Sequence, residues 1–301
     1  MKKKFFTVIV PQGSGRPLYC LDSLKRQEVP VNIIIEKGPN PSKNRNTGIK
    51  KAKTPLVAFI NAHTILPEDW SKKVLSFFSS HKEVDVLGGP QLTYSNQSLF
   101  GKISGYALAS VFGAAEASTR YRPRKLLFNA DERFLTSANL VCRKEVFKKV
   151  LFNENLWPGE DPKFISDSKK AGFKVCYNPE VFVYHLRRQS IKDLSKQIFN
   201  YGHTRTKKES LLSTLKKPSF LIPSLFILYL VIFPLISHIS RLFLIPLALY
   251  LLLNLAFSFL EAAKNKDLSA LFILPFIFFT IHIAYGLGFI YGTFEKIIGN
   301  K

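Results

Sequence analysis

The stretch Val57-Ala58-Phe59-Ile60-Asn61-Ala62-His63 decides the fold, because an apolar, β-type run stops abruptly at a polar triplet. Such a run predicts a buried strand. Two similar runs precede it, Phe5–Val10 and Val31–Glu36, and helix-like segments at Leu18–Gln27 and Asn46–Ala52 separate the three runs. Alternation of strand and helix predicts an α/β domain with a parallel sheet, whose ligands bind beyond the carboxyl ends of the strands.

That edge of the predicted sheet carries polar residues after each strand. The segments are Pro11–Gly15, Glu36–Gly38 and Asn61–His63. Glu36 can accept hydrogen bonds from a base or a ribose, and Lys43 and Arg45 can neutralise phosphates. No Walker sequence is present, so the nucleotide site predicted here is of another kind.

The last third of the sequence differs from the rest because it contains three nearly uncharged stretches. These are Phe220–Ile236, Leu242–Leu260 and Leu268–Tyr291. They are about 17, 19 and 24 residues long, which is the length of a membrane-spanning helix. The sequence therefore predicts three transmembrane helices. A buried hairpin of a soluble protein is the alternative, and the first stretch could instead form half of a re-entrant hairpin with the second.

Basic residues near these stretches predict their orientation. Lys207, Lys208, Lys216 and Lys217 precede the first stretch, and Lys264 and Lys266 separate the second from the third. The run after the basic N-terminus is too short for a signal peptide, so residues 1–212 are expected in the cytoplasm. Three spans then place the tail, with Lys296 and Lys301, outside, against the positive-inside rule.

The predicted domains follow from this change in composition. Residues 1–212 form an α/β domain and residues 213–301 a transmembrane region. A helix-like stretch near 190–217 has a discontinuous apolar face among lysines, which is typical of a helix at the membrane surface. Its apolar residues are Leu194, Ile198, Tyr201, Leu211, Leu212 and Leu215.

Charge and cysteine content narrow the class of partner. The formal net charge of +22 indicates an anionic partner. Anionic lipid and a nucleotide diphosphate fit better than nucleic acid, because the sequence has no helix-turn-helix, zinc or RNA-binding signature. The cysteines Cys20, Cys142 and Cys176 are widely spaced and are interpreted as reduced structural thiols.

An ordered set of short motifs between residues 5 and 205 resembles family-2 glycosyltransferases of the GT-A fold, and is similar to their exopolysaccharide (succinoglycan-type) branch. The resemblance implies a Rossmann-like nucleotide-sugar-binding domain followed by C-terminal membrane spans. The motifs are Thr7–Pro11, Cys20–Gln27, Asn44–Ile49, Val57–His63, Pro67–Trp70, Gly88–Pro90, Arg143–Phe147, Gly159–Asp161 and Gln197–Gly202.

The resemblance implies a role for each matching residue. Asp161 matches the catalytic base, and Glu160 beside it would help to orient the acceptor. His63 and His185 would bind a divalent cation, and two imidazoles favour Mn²⁺ over Mg²⁺. The residues implied for donor binding are Pro11 in the nucleotide-binding loop, Glu36 at the base or ribose, Asn61 in the family's Asp-x-Asp position, and Gln197 and Arg205 at the acceptor or diphosphate.

Asp161 has a second interpretation from its residue type alone. An Asp followed by Pro is a good helix start, so Asp161 could cap a predicted helix at Pro162–Ala171. The two roles are compatible.

Asn61 is a departure from the family pattern, because Asn keeps hydrogen bonding but lacks the charge of Asp. Either basic side chains take over part of the diphosphate charge, or the site has lost activity. The basic residues that could do so are Lys43, Arg45, Arg187, Arg188 and Arg205.

The leading hypothesis is an inverting, membrane-anchored transferase that moves a sugar from a nucleotide-sugar onto a lipid-linked or growing polysaccharide at the cytoplasmic face. The alternative is a catalytically silent partner in a glycan-assembly complex.

Overall fold

The computed structural model describes residues 5–208 and 218–299. The chain divides into two compact units. The sheet unit comprises the chain up to Ser95 together with Thr119–Leu186, and the helical unit comprises Asn96–Ser118 together with the chain from Arg187 onward. The predicted domain boundary at residue 212 lies outside the described residues, as do Lys216 and Lys217 before the first apolar stretch.

The sheet unit is an α/β layer structure, as the sequence predicts, but its main sheet is mixed and not wholly parallel. Its main sheet has the strand order β2-β1-β3-β7-β5-β8, in which only β7 runs antiparallel to its neighbours. The elements are β1 (Phe6–Gln12), α1 (Cys20–Lys25), β2 (Asn32–Lys37), α2 (Pro41–Lys51), β3 (Leu56–Ile60), β4 (Thr64–Ile65), α3 (Trp70–Ser80), β5 (Val86–Gly88), β6 (Gln91–Thr93), β7 (Asn139–Arg143), α6 (Glu160–Lys170), β8 (Val175–Tyr177) and β9 (Val183–His185), with a 3-10 helix at Lys144–Lys148.

Strand β3 reads as a continuous apolar run because it is buried on both faces. Ala58 and Ile60 pack into one hydrophobic cluster, which includes Trp70. Val57 and Phe59 alternate with them and pack into a second cluster on the other face. The two clusters pack helices against both faces of the sheet.

The cysteines are free and buried, in agreement with the interpretation as reduced structural thiols. Burial raises the pKa of the Cys20 and Cys176 thiols to about 12 and raises that of Cys142 as well. The thiolate is the reactive form, so these side chains are chemically inert near neutral pH.

The helical unit contains the three long apolar helices that the sequence predicts. The stretches long and apolar enough to cross a membrane are Phe220–Ile239, Arg241–Asn265 and Leu268–Ile298. The helices of this unit are α4 (Leu99–Ala109), α5 (Val111–Ala114), α7 (Ile191–Lys208), α8 (Pro218–Ile239), α9 (Ile245–Asn265) and α10 (Leu268–Gly299). A 3-10 helix at Arg241–Leu244 precedes α9, and another at Ala115–Tyr121 begins in this unit and ends beyond Ser118.

Helix α7 covers most of the stretch predicted to lie on the membrane surface. Leu194 and Ile198 are buried in the protein, whereas Tyr201 is exposed. The other predicted apolar residues, Leu211, Leu212 and Leu215, lie outside the described residues.

Helices α7 and α10 pack so closely that glycines are required where they meet. A Cβ atom built on Gly288 would lie 2.1 Å from the carbonyl oxygen of Phe199, and one on Gly202 would lie 2.2 Å from that of Tyr285. Small residues at such positions allow two helix backbones to approach directly.

We expect Gly288→Ala to destabilise the helical unit, because the added methyl group forces α7 and α10 apart. Overpacking of this kind costs about 1–3 kcal/mol. Thermal unfolding in detergent measures the effect. Phe272→Ala on the same helix is the control, since Phe272 is 73% exposed and its loss leaves the α7 contact intact. Equal melting temperatures for Gly288→Ala and the unmodified protein would contradict the requirement for glycine.

Candidate active site

The carboxyl ends of β1, β2 and β3 lie side by side at one edge of the main sheet. Strand β1 is central, and Pro11 within it is paired in register with Glu36 of β2. Asn61 follows the end of β3 directly, and β3 is parallel to β1. The polar segments that the sequence predicts at this edge therefore share it.

Three of the predicted nucleotide-binding residues differ in environment. Pro11 is buried inside β1. The Glu36 carboxylate, 12% exposed, forms a 2.7 Å ion pair with Lys51 of α2. Lys43 is exposed near the start of the same helix, where Asn40 caps the backbone and accepts a hydrogen bond from the Lys43 amide. Lys43 is the member of this group whose charge is available to a ligand in solvent.

Arg45 is buried and connects three parts of the site. Its Nη1 atom donates to Oε1 of Glu160 at 2.9 Å, and its Nη2 atom donates to Oδ1 of Asn61 at 3.4 Å. The Arg45 Nη1 atom also lies 3.8 Å from Oδ1 of Asp161. The guanidinium packs over the ring of Phe152 at 5.2 Å. One cation thus joins α2, the first turn of α6 and the triplet after β3.

The neighbours of Arg45 on α2 hold that helix in place. Asn44 donates through Nδ2 to the carbonyl oxygen of Gly38, which closes the turn after β2. Asn46 both donates to the carbonyl oxygen of Phe152 and accepts from its amide. The three consecutive side chains therefore fix α2 against the strand ends on one side and the chain before α6 on the other.

Asp161 lies in the first turn of α6. The helix begins at Glu160 with Gly159 as its N-cap, so the sequence prediction that Asp161 caps a helix starting at Pro162 is wrong by two residues. Gly159 has a φ of 121°, a backbone region that favours glycine. The Oδ1 atom of Asp161 accepts a 2.5 Å hydrogen bond from the hydroxyl group of Ser137, and the side chain is 20% exposed. Both its ion-pair contact and its hydrogen bond use Oδ1.

Glu160, beside Asp161, is almost fully buried. Its two oxygens accept from Arg45 and from the backbone amide of Gly159. Burial raises the pKa of the Glu160 carboxyl group, and the neighbouring Asp161 carboxylate raises it further, while Arg45 partly offsets both. These contacts make Glu160 the group that holds the first turn of α6 to Arg45.

His63 and His185 lie together because a small second sheet joins their strands. Strand β4 pairs antiparallel with β9, which places Thr64 opposite His185. The two imidazole rings meet edge to face with centroids 4.5 Å apart. The amide of Leu186 also donates to the carbonyl oxygen of His63 at 3.0 Å.

This ring contact brings together two imidazoles that are candidate ligands for a divalent cation. Two imidazoles at this separation can both supply nitrogen ligands, and Mn²⁺ accepts such ligands more readily than Mg²⁺. Within residues 5–208 and 218–299, no cluster of three or more His, Cys, Asp or Glu side chains could hold a metal ion. A cation here would therefore depend on oxygen ligands from a bound diphosphate or water.

Gln197 and Arg205 both lie on α7, in the helical unit. Gln197 accepts from Nε of Arg188 at 3.3 Å and donates to the hydroxyl group of Tyr201 at 2.9 Å. The Arg205 guanidinium lies 3.8 Å from the centroid of the Phe220 ring. Within their own unit, these two residues therefore order α7 and its neighbours.

Ser137 is a site residue that the sequence does not reveal. It precedes β7, whose residue Asn139 pairs with Ile60 of β3, so the residues before Asn139 lie beside those after Ile60. Asn139 itself accepts from the indole of Trp70 at 3.1 Å. Only the antiparallel register of β7, inserted in an otherwise parallel sheet, could have indicated Ser137.

The fold and this edge of the sheet define a GT-A-type domain. Residues 26–200 match the model of the family described as glycosyltransferase like family 2. The match covers more than half of the chain, and the chain belongs to this family.

Individual relatives are distant. The minor teichoic acid biosynthesis protein GgaB of Bacillus subtilis (strain 168) is 28% identical over 154 residues, which are 48% of this chain and 16% of that protein. The pre-mycofactocin glycosyltransferase of Mycobacterium tuberculosis (strain H37Rv) is 24% identical over 199 residues, 65% of this chain and 40% of that protein. The chain thus spans less than half the length of either relative.

Among solved structures, the mannosyltransferase PcManGT from Pyrobaculum calidifontis, in complex with GDP-Man and Mn²⁺, has a TM-score of 0.57 at 12% identity. The alignment covers 97% of this chain and 88% of that one. At this identity the likeness shows the shared fold.

Arg45→Met tests the central ion pair. Removing one partner leaves the Glu160 carboxylate buried without its cation, and we expect a loss of about 3 kcal/mol in the free energy of unfolding. Lys43→Met on the same helix is the matched control and should change stability by less than about 0.5 kcal/mol, because Lys43 is exposed. Chemical denaturation measures both. Equal effects of the two substitutions would contradict the central role of Arg45.

Proposed function

We propose that the chain is an inverting glycosyltransferase that transfers a sugar from a nucleotide-sugar donor to a lipid-linked or polysaccharide acceptor at the cytoplasmic face of the membrane. The observation that carries the proposal is Asp161, a carboxylate held by Ser137 and Arg45 through one oxygen only. Family membership and the shared edge of the sheet support the nucleotide-sugar donor.

Asp161 serves as the general base. Its Oδ1 atom accepts the hydrogen bond from Ser137. The Oδ2 atom takes the proton of the acceptor hydroxyl group while the hydroxyl oxygen of the acceptor attacks the anomeric carbon. The bond from the anomeric carbon to the diphosphate oxygen breaks on the opposite face, so the nucleoside diphosphate leaves and the anomeric configuration inverts. Glu160 is a positioning residue, because it fixes the turn that carries Asp161.

The leaving diphosphate gains negative charge, which cations must stabilise. Lys43 is an exposed cation near the strand ends, and Arg45 orients Asn61 for hydrogen bonding to the donor. Pro11 and Glu36 would contact the nucleotide, and Gln197 and Arg205 stay sequence predictions for binding the acceptor or the diphosphate. A divalent cation held by His63 and His185 would neutralise the diphosphate when bound.

The three apolar helices support anchoring in the cytoplasmic membrane. A hydrophobic anchor keeps the enzyme beside lipid-linked acceptors, and the net charge of +22 suits anionic headgroups and donor diphosphates alike.

Asp161→Asn tests the base. The Asn side chain retains the hydrogen bond from Ser137 but cannot take a proton, so we expect transfer to fall about 10²–10⁴-fold with nucleotide affinity unchanged. Transfer is measured from UDP- and GDP-sugars to extracted membrane lipids, and affinity by calorimetry with UDP and GDP. Asp167→Asn on the same helix is the control, because Asp167 only forms an ion pair with Lys163. Full transfer by Asp161→Asn would exclude Asp161 as the base.

Wild-type protein that binds UDP or GDP but transfers none of the sugars tested would favour the silent-partner alternative. Absence of nucleotide binding would contradict the proposed function altogether.

Asn61→Asp tests the cation site. A carboxylate beside His63 adds a charged oxygen ligand, so we expect Mn²⁺ to bind about tenfold more tightly, a gain of about 1.4 kcal/mol. Electron paramagnetic resonance of free Mn²⁺, titrated with and without UDP, measures the affinity. Asn155→Asp makes the same charge change at an exposed position and should have no effect. Unchanged affinity in Asn61→Asp would place the cation elsewhere.

A further inference from the structure

Helix α10 differs from the other two apolar helices in how much of it the protein covers. In its most apolar stretch 39% of residues are buried inside the protein, against 11% in both α8 and α9. Its buried face includes Leu274, Ile277, Phe278 and Ile281, each at most 4% exposed. A helix surrounded by protein owes its apolar composition partly to protein contacts and not only to lipid.

Helix α7 runs along α10 in the same direction. The carbonyl group of Phe199 lies against Gly288 and that of His203 against Gly292. Farther on, the Lys296 ammonium group donates to the carbonyl oxygen of Thr206 at 2.6 Å. The residue numbers of the contacting partners increase together along the two helices, so α7 and α10 are parallel. Their carboxyl ends therefore lie at the same level.

The amino-terminal half of α7 is charged and exposed, with Lys192, Asp193 and Lys196 open to solvent. Charged side chains are costly inside the hydrocarbon of a bilayer. The part of α10 that α7 covers therefore lies outside the hydrocarbon. The part of α10 that α7 leaves uncovered is too short to cross the hydrocarbon layer, which is about 30 Å thick.

The start of α8 lies at the level of the end of α10. The hydroxyl group of Ser224 donates to the carbonyl oxygen of Gly286 at 3.4 Å, and Phe220 lies under Arg205, the neighbour of Thr206. Three full crossings by α8, α9 and α10 would instead separate the two ends by the full hydrocarbon thickness, about 30 Å.

We propose that α10 does not cross the membrane and that its carboxyl end lies on the same membrane face as α7. The inference rests on the membrane anchoring proposed above but not on the transferase activity. The lipid-facing surface is then formed by α8 and α9, whose exposed side chains are almost entirely apolar. This arrangement also places Lys264, Lys266 and Lys296 on one face, as the positive-inside rule requires.

Cysteines introduced one at a time into the 301-residue chain test this arrangement. Ala263→Cys and Ile298→Cys bracket α10 at exposed positions, and Lys196→Cys on α7 is the reference. Wild-type protein is the blank, because its own cysteines are buried. Sealed inverted and right-side-out vesicles are treated with a membrane-impermeant maleimide before and after permeabilisation.

We expect the three introduced cysteines to label from the same side, each losing labelling to the same extent when the vesicle orientation is reversed. Labelling of Ile298→Cys from the side opposite to Ala263→Cys or Lys196→Cys would overturn the proposal. Alkaline carbonate extraction of the same vesicles tests the anchoring itself. Release of the chain by carbonate would contradict membrane anchoring, and with it this inference, while leaving the transferase assignment standing.

Discussion

The buried ion pair between Arg45 and Glu160 is the interaction on which the site depends. Two charges with side chains only 4% and 6% exposed persist because each satisfies the other. The pair joins residues 115 positions apart in sequence and ties α2 to α6. Without this pair, the first turn of α6, which carries Asp161, loses its link to α2, and Asn61 loses the hydrogen bond that orients its side chain.

This pair also gives a physical account of Asn61. The cluster contains one cation, Arg45, and two carboxylates, Glu160 and Asp161, so it carries a formal charge of about −1 when both are ionised. Burial raises the pKa of the Glu160 carboxyl group, and the neighbouring Asp161 carboxylate raises it further. An aspartate at position 61 would add a third carboxylate around one guanidinium. An amide there accepts the hydrogen bond from Arg45 without adding repulsion.

The parts of the fold that sequence reveals are those set by local pattern. Buried strands read as apolar runs: the apolar pattern predicts the third strand at Leu56–Ile60, and β3 has the same limits in the structure. Helix α2 begins at Pro41, five residues before the predicted Asn46, although Asn40 followed by Pro is itself a cap signal. Local pattern does not reveal the site, since the hydrogen bond of Ser137 and the pairing of His63 with His185 depend on β7 and β9 register.

Composition has a further limit in the helical unit. Hydropathy measures how much a helix avoids water, and both lipid and protein contacts satisfy that demand. Helices α8 and α9 expose their apolar side chains, so something outside the described chain must cover them. Helix α10 is covered from within, by α7 through the glycines and by α4 and α5. An apolar composition therefore suits both lipid and protein surroundings, and it is packing, such as that of Gly288 and Gly292 against α7, that distinguishes α10 from α8 and α9.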